Sequence, residues 1–182
     1  LSIFASAANT DRDSYYGPGN DPLKAYGKTT DLTAMGGAQY VHTFDKCFFM
    51  PSDLTAGLEY NRDRLKDNMW GYDRHTDQTV NIYSAFLQNE WKNDRWGILI
   101  GGRLDKHNMV DNVIFSPRAN LRFNPTQNIN LRLSYSSGFR APQAFDEDMH
   151  IENVGGTVAM IERAKNLKEE KSQSFSASAD MY

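Results

Sequence analysis

The sequence predicts an all-β fold, an antiparallel up-and-down meander of about eight long strands. In about eight segments of the chain, apolar and polar side chains alternate with a period of two, which places them on opposite faces of a strand. The segments are about ten to fifteen residues long, whereas strands of soluble proteins are most often five or six residues long. The connections alternate between short turns and longer loops. These features indicate one continuous region over residues 1–182.

Each predicted strand carries one apolar stripe. The second strand has the poorest stripe, because alanine and glycine occupy most of it. The sixth contains Pro117, which strands tolerate mainly at an edge or a bulge. The predicted strands are Leu1–Thr10, Asp31–Phe44, Leu54–Asn61, Tyr83–Trp91, Trp96–Leu104, Asn112–Phe123, Ile129–Ser136 and Ser172–Tyr182.

The connections differ in length at the two ends of the predicted sheet. The short ones are 45–52, 93–94 and 125–127, and the longer ones, which are rich in aromatic and charged residues, are 13–28, 67–77 and 140–171, with 107–111 as an exception. A meander that crosses a membrane has this asymmetry. Alternation alone also fits a water-soluble sheet with one face on a core.

Charged and aromatic side chains favour the membrane interpretation. Charges lie opposite the apolar stripe, on the side that would face a polar lumen: Arg103, Arg118, Arg122, Arg132, Glu59, Glu90 and Asp180. Aromatic residues cluster near the short connections, as in the aromatic belt at a membrane surface: Phe44, Phe48, Phe49, Trp91, Trp96 and Phe123.

Composition excludes several other classes of protein. The net charge is −3 and the basic residues are scattered, so no nucleic-acid partner is expected. The single cysteine, Cys47, excludes an internal disulfide and a cysteine metal cage. The four histidines are far apart and no nucleophile motif is present, so no catalytic residue, cofactor or metal is expected. The acidic run 146–152 offers oxygen ligands for a divalent cation, but a solvated outer loop is the favoured interpretation.

Two stretches near the end of the chain resemble a known signature. Residues 134–147 read SYSSGFRAPQAFDE, and residues 166–182 read NLKEEKSQSFSASADMY. They resemble the barrel of TonB-dependent outer-membrane receptors, in which a strand ends in Gly-Phe-Arg-Ala-Pro and a loop leads to Asn-Leu-Lys-Pro-Glu and a further strand. Glu169 stands where the family usually has proline.

The resemblance implies a segment of a large, about 22-stranded barrel in the bacterial outer membrane. It implies a receptor rather than an enzyme, one that takes up a scarce nutrient such as an iron chelate, cobalamin or a glycan. The implied partners are outer-membrane lipid, the nutrient, the plug and remaining strands of the same receptor, and a periplasmic TonB-type energy transducer. Neither a plug domain nor an energy-coupling box is recognisable near residue 1, so we expect a fragment.

Ligand contacts are expected in the long connections, since the strands are committed to lipid and lumen. The leading candidates lie in the loop 140–171, which combines a basic residue with an acidic run: Arg140, Asp146, Glu147, Asp148, His150 and Glu152. A second group offers flat aromatic surfaces for stacking: Trp70, Tyr72, Tyr15 and Tyr16. The alternative is that these loops only cover the barrel mouth.

Two other classes of protein also fit the sequence. One is a free-standing eight-stranded membrane barrel that acts as an adhesin or structural protein. The other is a soluble β-sandwich binding module, whose apolar residues would form an inter-sheet core. A segment of a larger barrel should instead leave two open edges, at Leu1–Thr10 and Ser172–Tyr182.

The sequence also predicts the pairing in two hairpins. A two-residue type I′ turn at Asn93-Asp94 would pair Trp91 with Trp96, Leu87 with Ile100 and Tyr83 with Leu104. A three-residue loop at 125–127 would pair Arg122 with Asn130, Asn120 with Arg132 and Leu121 with Leu131, and would keep the two arginines apart.

Overall fold

The structure, a computed structural model, describes residues 1–15, 26–70, 74–144, 152–154, 157–159 and 167–182. The described residues form ten β-strands: β1 (Ser2–Tyr15), β2 (Tyr26–Cys47), β3 (Met50–Met69), β4 (Arg74–Lys92), β5 (Trp96–His107), β6 (Ile114–Thr126), β7 (Ile129–Arg140), β8 (Glu152–Val154), β9 (Thr157–Ala159) and β10 (Glu170–Met181). No helix among the described residues has the length and apolar character needed to cross a membrane.

Eight of the strands form one antiparallel sheet in the order β1-β2-β3-β4-β5-β6-β7-β10. The short strands β8 and β9 pair only with each other, within the long connection between β7 and β10. The predicted all-β meander is therefore confirmed. Within the described residues β1 and β10 do not pair with each other, so the sheet is open, as a segment of a larger barrel requires.

Several strands are longer than predicted. Strands β2, β3 and β4 have 22, 20 and 19 residues, and they absorb most of the predicted loop 67–77. The last strand begins at Glu170 rather than Ser172. Periodicity missed these extensions because the outer face there is polar, whereas the inner face continues to bury side chains such as Leu65, Met69 and Val80. Buried neighbours on one face are enough to stabilise a ladder.

The two faces of the sheet have opposite character, and every predicted apolar stripe lies on the same face. On this outer face large apolar side chains are exposed, for example Ile3 at 79%, Leu58 at 66% and Phe175 at 75%. The opposite, inner face holds buried polar side chains, among them Asp67 and Asp105. Among the described residues no second layer covers this apolar face, which contradicts a soluble sandwich, in which these residues would be covered.

Aromatic rings form a belt at the short-turn end of the outer face. The Trp96 and Phe123 rings stack with centroids 4.2 Å apart, and the Phe49 ring stacks on Trp91 at 5.7 Å. A third aromatic pair, Tyr60 and Tyr83, lies further along the same face with centroids 4.9 Å apart. From Tyr83 to Trp91 the strand rises about 27 Å, or roughly 20 Å along the membrane normal at the usual tilt. The Trp91 ring and the Tyr60–Tyr83 pair thus bracket an apolar band whose height approaches the roughly 25 Å typical of outer-membrane barrels.

The β4–β5 hairpin keeps the predicted faces but not the predicted pairs. The observed pairs are Trp91–Ile98, Leu87–Gly102 and Tyr83–Lys106. The predicted pairs Trp91–Trp96, Leu87–Ile100 and Tyr83–Leu104 are each wrong by two residues. Trp91 and Trp96 still share the outer face, because a shift of two preserves the side-chain alternation.

A side chain causes this shift of register. The Asn93 Oδ1 accepts hydrogen bonds from the backbone N–H of Arg95 at 2.9 Å and of Trp96 at 2.7 Å. Asn93 therefore precedes the turn, and Asp94 and Arg95 form its centre. Among the described non-glycine residues only Phe48 has a positive φ, so the turn is not the predicted type I′.

The β6–β7 hairpin also differs from the prediction. The observed pairs are Arg122–Arg132, Leu121–Leu133 and Asn120–Ser134, so the predicted pairs Arg122–Asn130, Asn120–Arg132 and Leu121–Leu131 are wrong. An irregularity between Phe123 and Thr126 accommodates the extra residues and moves the turn to 127–128.

The two arginines are tolerated opposite each other because they bind in different directions. The Arg122 Nη2 donates to the backbone oxygen of Asn93 at 3.0 Å. The Arg132 Nε donates to the Asn130 Oδ1 at 2.8 Å, and its Nη2 lies 3.8 Å from the Asp180 carboxylate. These side-chain partners thus offset the repulsion between the two arginines, which was the basis of the predicted pairing.

Neighbouring glycines on β2 give a test of inner-face packing. A Cβ at Gly37 would lie 2.6 Å from the Phe4 ring and 2.8 Å from the Leu58 backbone oxygen. At Gly36, on the outer face, the closest atoms would lie at 3.6 and 4.0 Å. We expect Gly37→Ala to lower the free energy of unfolding by about 1–3 kcal/mol through overpacking, and Gly36→Ala to leave it nearly unchanged.

The measurement is urea unfolding of the detergent-folded protein, monitored by circular dichroism. Equal midpoints for the two alanine variants would contradict the described packing of Phe4 over Gly37.

Candidate functional site at the long-connection end

The long connections leave the sheet at one end, and the inner face at that end is the candidate site. Strands β2 to β4 extend beyond the apolar band there and form a wall. We call this end of the inner face the rim. Along the rim, the wall meets the root of the long β7–β10 connection and the short connection after β5. Three groups of side-chain contacts fix its geometry.

The first group joins four strands around the Asp67 carboxylate, which is 0% exposed. Its Oδ1 accepts from the Thr29 hydroxyl at 2.7 Å, and its Oδ2 accepts from the Arg74 Nε at 2.8 Å. The Arg12 Nη2 donates to the Thr29 hydroxyl oxygen at 3.2 Å. A buried carboxylate needs such compensation, so the group ties β1, β2, β3 and β4 together.

The second group surrounds the guanidinium of Arg103. Its Nη2 donates to Glu59 Oε1 and to Ser84 Oγ, both at 2.7 Å, and its Nε donates to Asp105 Oδ1 at 2.8 Å. The Ser84 hydroxyl donates in turn to Asp105 Oδ1 at 2.6 Å. One cation thus pairs with two carboxylates across β3, β4 and β5, and the network is rigid.

The third group holds the root of the long connection against the wall. The Gln78 side chain makes two bonds to the backbone of Ala144: its Nε2 donates to the carbonyl at 3.0 Å, and its Oε1 accepts from the N–H at 2.9 Å. His107 Nδ1 accepts from the Met109 N–H at 3.0 Å, so Nε2 carries the proton and donates to Gln143 Oε1 at 3.0 Å. Residues 141–144 are therefore clamped to β4 and β5.

A small apolar cluster supports this clamp. Val110, Ile114 and Ala141 are buried together, and Phe139 packs against them. Apolar contact therefore joins the connection after β5 to the end of β7.

The other end of the long connection returns to the sheet at β10. Glu169 stands just before the strand, with Oε1 3.3 Å from the Lys171 Nζ. A hydrogen bond with its own backbone and then the Lys171 ammonium hold the pKa of the Glu169 carboxyl below its usual value. The residue is thus a carboxylate at neutral pH.

Three of the predicted ligand residues are described, and the structure does not bring them together. Arg140 ends β7 on the inner face, opposite Glu170. Tyr15 ends β1 on the outer face, where its ring meets Tyr26 edge-on at 5.1 Å. Trp70 follows β3 directly and is 56% exposed.

The remaining candidates lie outside the described residues, with one partial exception. Glu152 begins β8, and only its backbone is described. Those outside are Tyr16, Tyr72, Asp146, Glu147, Asp148 and His150.

Sequence patterns missed the residues that shape the rim. Gln78 lies 66 residues before Ala144, and no local motif links the two. Asp67 and Arg103 lie on the polar faces of their strands, where charged residues are common. Only their hydrogen-bond partners in the structure distinguish them from the other charged residues there. No group of three or more His, Cys, Asp or Glu side chains in the described part of the chain could hold a metal ion.

Comparisons with known proteins agree with the fold. A family model described as TonB dependent receptor-like, beta-barrel, matches residues 2–182. A search of curated proteins found no significant match. The family model covers nearly the whole chain. The similar solved structures share at most 20% identity with this chain and therefore show only its fold.

Three solved structures are similar. They are the siderophore receptor PirA from Pseudomonas aeruginosa (14% identity, TM-score 0.68), a mutant of the ferric enterobactin receptor PfeA from Pseudomonas aeruginosa (18%, 0.70) and the siderophore receptor PirA from Acinetobacter baumannii (20%, 0.63). Each comparison covers 99% of this chain but only 36%, 29% and 29% of the other chains. The chain thus spans about a third of the length of these receptors.

The clamp at the loop root predicts a change in hydrogen exchange. Replacing Gln78 with alanine removes both bonds to Ala144, and we expect the Ala144 amide to exchange about 10–30-fold faster. The control is Thr76→Ala, on the same strand and face, whose side chain has no hydrogen bond among the described residues. Mass-spectrometric exchange of peptides containing residue 144 measures the effect. Equal rates in the two variants would show that Gln78 does not hold the loop.

The Arg103 network predicts a loss of stability. Arg103→Gln leaves the Asp105 carboxylate, 3% exposed, without a cation. We expect it to lower the free energy of unfolding by about 2–3 kcal/mol. Lys66→Gln is the control, because Lys66 and Asp77 form an exposed pair at 3.8 Å, whose loss should cost below about 1 kcal/mol. Denaturant unfolding in detergent gives both values, and similar losses would refute the network's role.

Proposed function

Because the chain belongs to the TonB-dependent receptor β-barrel family, we propose that it forms part of the wall of a transporter that takes up a scarce nutrient across the bacterial outer membrane. The observation that carries the proposal is the family match over residues 2–182. The family is an outer-membrane one, and its members are receptors and not enzymes, so the predicted location and class are confirmed.

We favour an iron–siderophore chelate as the nutrient, ahead of cobalamin or a glycan. Support comes from the three similar solved structures, each of which is a receptor for a siderophore or for ferric enterobactin. In this proposal the uptake is energised by a periplasmic TonB-type transducer, and a plug and the remaining strands complete the barrel. The open edges of β1 and β10 suit such completion, because each carries unpaired backbone groups.

Ligand contact in this proposal comes from the long connection after β7. Support comes from the clamp of residues 141–144 on the inner face, since the acidic run that follows starts from this anchored root. The proposed contacts are Arg140, Asp146, Glu147, Asp148, His150 and Glu152. The second group of proposed contacts supplies stacking surfaces: Trp70, Tyr72, Tyr15 and Tyr16.

The test replaces Asp146, Glu147, Asp148 and His150 together with alanine in the full-length receptor. If these side chains contact the ligand, its affinity should fall by about tenfold or more, because hydrogen bonds to charged groups contribute about 1.5–3 kcal/mol. Binding is measured with ferric chelates in detergent, and uptake is measured in cells with labelled iron.

A matched control replaces four charged residues at the opposite, short-turn end: Asp45, Lys46, Asp94 and Arg95. This variant should bind and transport as the parent does. Unchanged affinity and uptake in the loop variant would mean that the loop only covers the mouth of the barrel.

A further inference from the structure

Outside the candidate site, the outer face of β3 carries a row of cations above the apolar band. Arg62, Arg64 and Lys66 occupy successive outward positions of the strand, and we name them the basic strip. On the neighbouring strand β4 they face Asn81, Thr79 and Asp77. The strip therefore has three cations and one facing carboxylate.

The cations of the strip are incompletely paired. The Arg64 Nη2 lies 3.7 Å and the Lys66 Nζ 3.8 Å from the same Asp77 oxygen, beyond hydrogen-bond distance. The side chains of Arg64 and Lys66 are 41% and 46% exposed, so both cations are accessible from outside the sheet. On the inner face, by contrast, Arg74 lies 2.8 Å from a carboxylate oxygen. The strip thus retains donors for an anion.

The position of the strip matches a membrane surface. Tyr60 precedes Arg62 on the same face, and its ring pairs with Tyr83 at the upper limit of the apolar band. Outward residues two apart are spaced about 7 Å along a strand, so the strip starts about 7 Å beyond this aromatic pair. Interfacial tyrosines lie at headgroup level, and basic side chains just beyond them reach lipid phosphates.

We infer that the basic strip binds the phosphate of a lipid headgroup in the outer leaflet of the membrane. A lipid is favoured over a free anion because the strip lies on the lipid-facing side, directly above exposed apolar side chains such as Leu58 and Leu87. Acyl chains can lie on this apolar surface while the phosphate meets the cations. On β1, the Asp11 carboxylate accepts from Thr30 and Asn9 rather than from the strip.

The test compares the parent full-length receptor with Arg62→Gln/Arg64→Gln/Lys66→Gln in a neutral detergent. The probe is lipid A with two phosphates, and the comparison probe is the same lipid after dephosphorylation. We expect the parent to bind the phosphorylated lipid at least about tenfold more tightly, and the variant to lose on the order of 100-fold, since each basic residue near an anionic lipid contributes about fivefold.

The control triple variant, Arg118→Gln/Arg122→Gln/Arg132→Gln, removes the same charge from the inner face and should bind the lipid as the parent does. Arg62→Lys/Arg64→Lys keeps the charge and should retain binding. Equal affinity of the strip variant and the parent, or no effect of dephosphorylation, would overturn the inference. Displacement of the lipid by millimolar inorganic phosphate would assign the strip to a free anion instead.

Discussion

The interstrand hydrogen-bond ladder is the constraint on which the rest of the structure depends. The bilayer core offers no water, so each backbone N–H and C=O that lies within it needs a partner on a neighbouring strand. This requirement accounts for the continuous pairing from β1 to β10, and it means that the open edges of β1 and β10 need partner strands of their own. It also makes side chains alternate strictly between lipid and lumen.

Because of this alternation, the two faces of the sheet have different chemical character and different contacts. The outer face is apolar between two aromatic levels and becomes basic beyond the upper one, as contact with hydrocarbon and headgroups requires. The inner face holds charges that share partners across several strands, such as Asp67 and Arg103. A buried charge is costly unless it is paired, so these groups fix how neighbouring strands lie against each other.

The rigidity of the wall matters for the proposed ligand contacts. A long connection can present side chains reproducibly only where its root is held, and Gln78 and His107 hold the root here. His107 ends β5 just above the apolar band, whereas Gln78 belongs to β4, which with β2 and β3 continues well beyond it. The extension of these strands therefore serves the rim, whereas the membrane-spanning part alone would need about ten residues.

The sequence by itself determined the strand order, the face of each side chain and the family, because alternation and the Gly-Phe-Arg-Ala-Pro signature are local features. Only the tertiary structure decided the register, since a shift of two residues leaves the alternation unchanged. The hydrogen bonds of the Asn93 side chain set the register of the β4–β5 hairpin, and the irregularity after Phe123 sets that of the β6–β7 hairpin. The contacts of the rim depended on register in turn: Gln78 meets Ala144 across 66 residues only because the strands between them are aligned as they are.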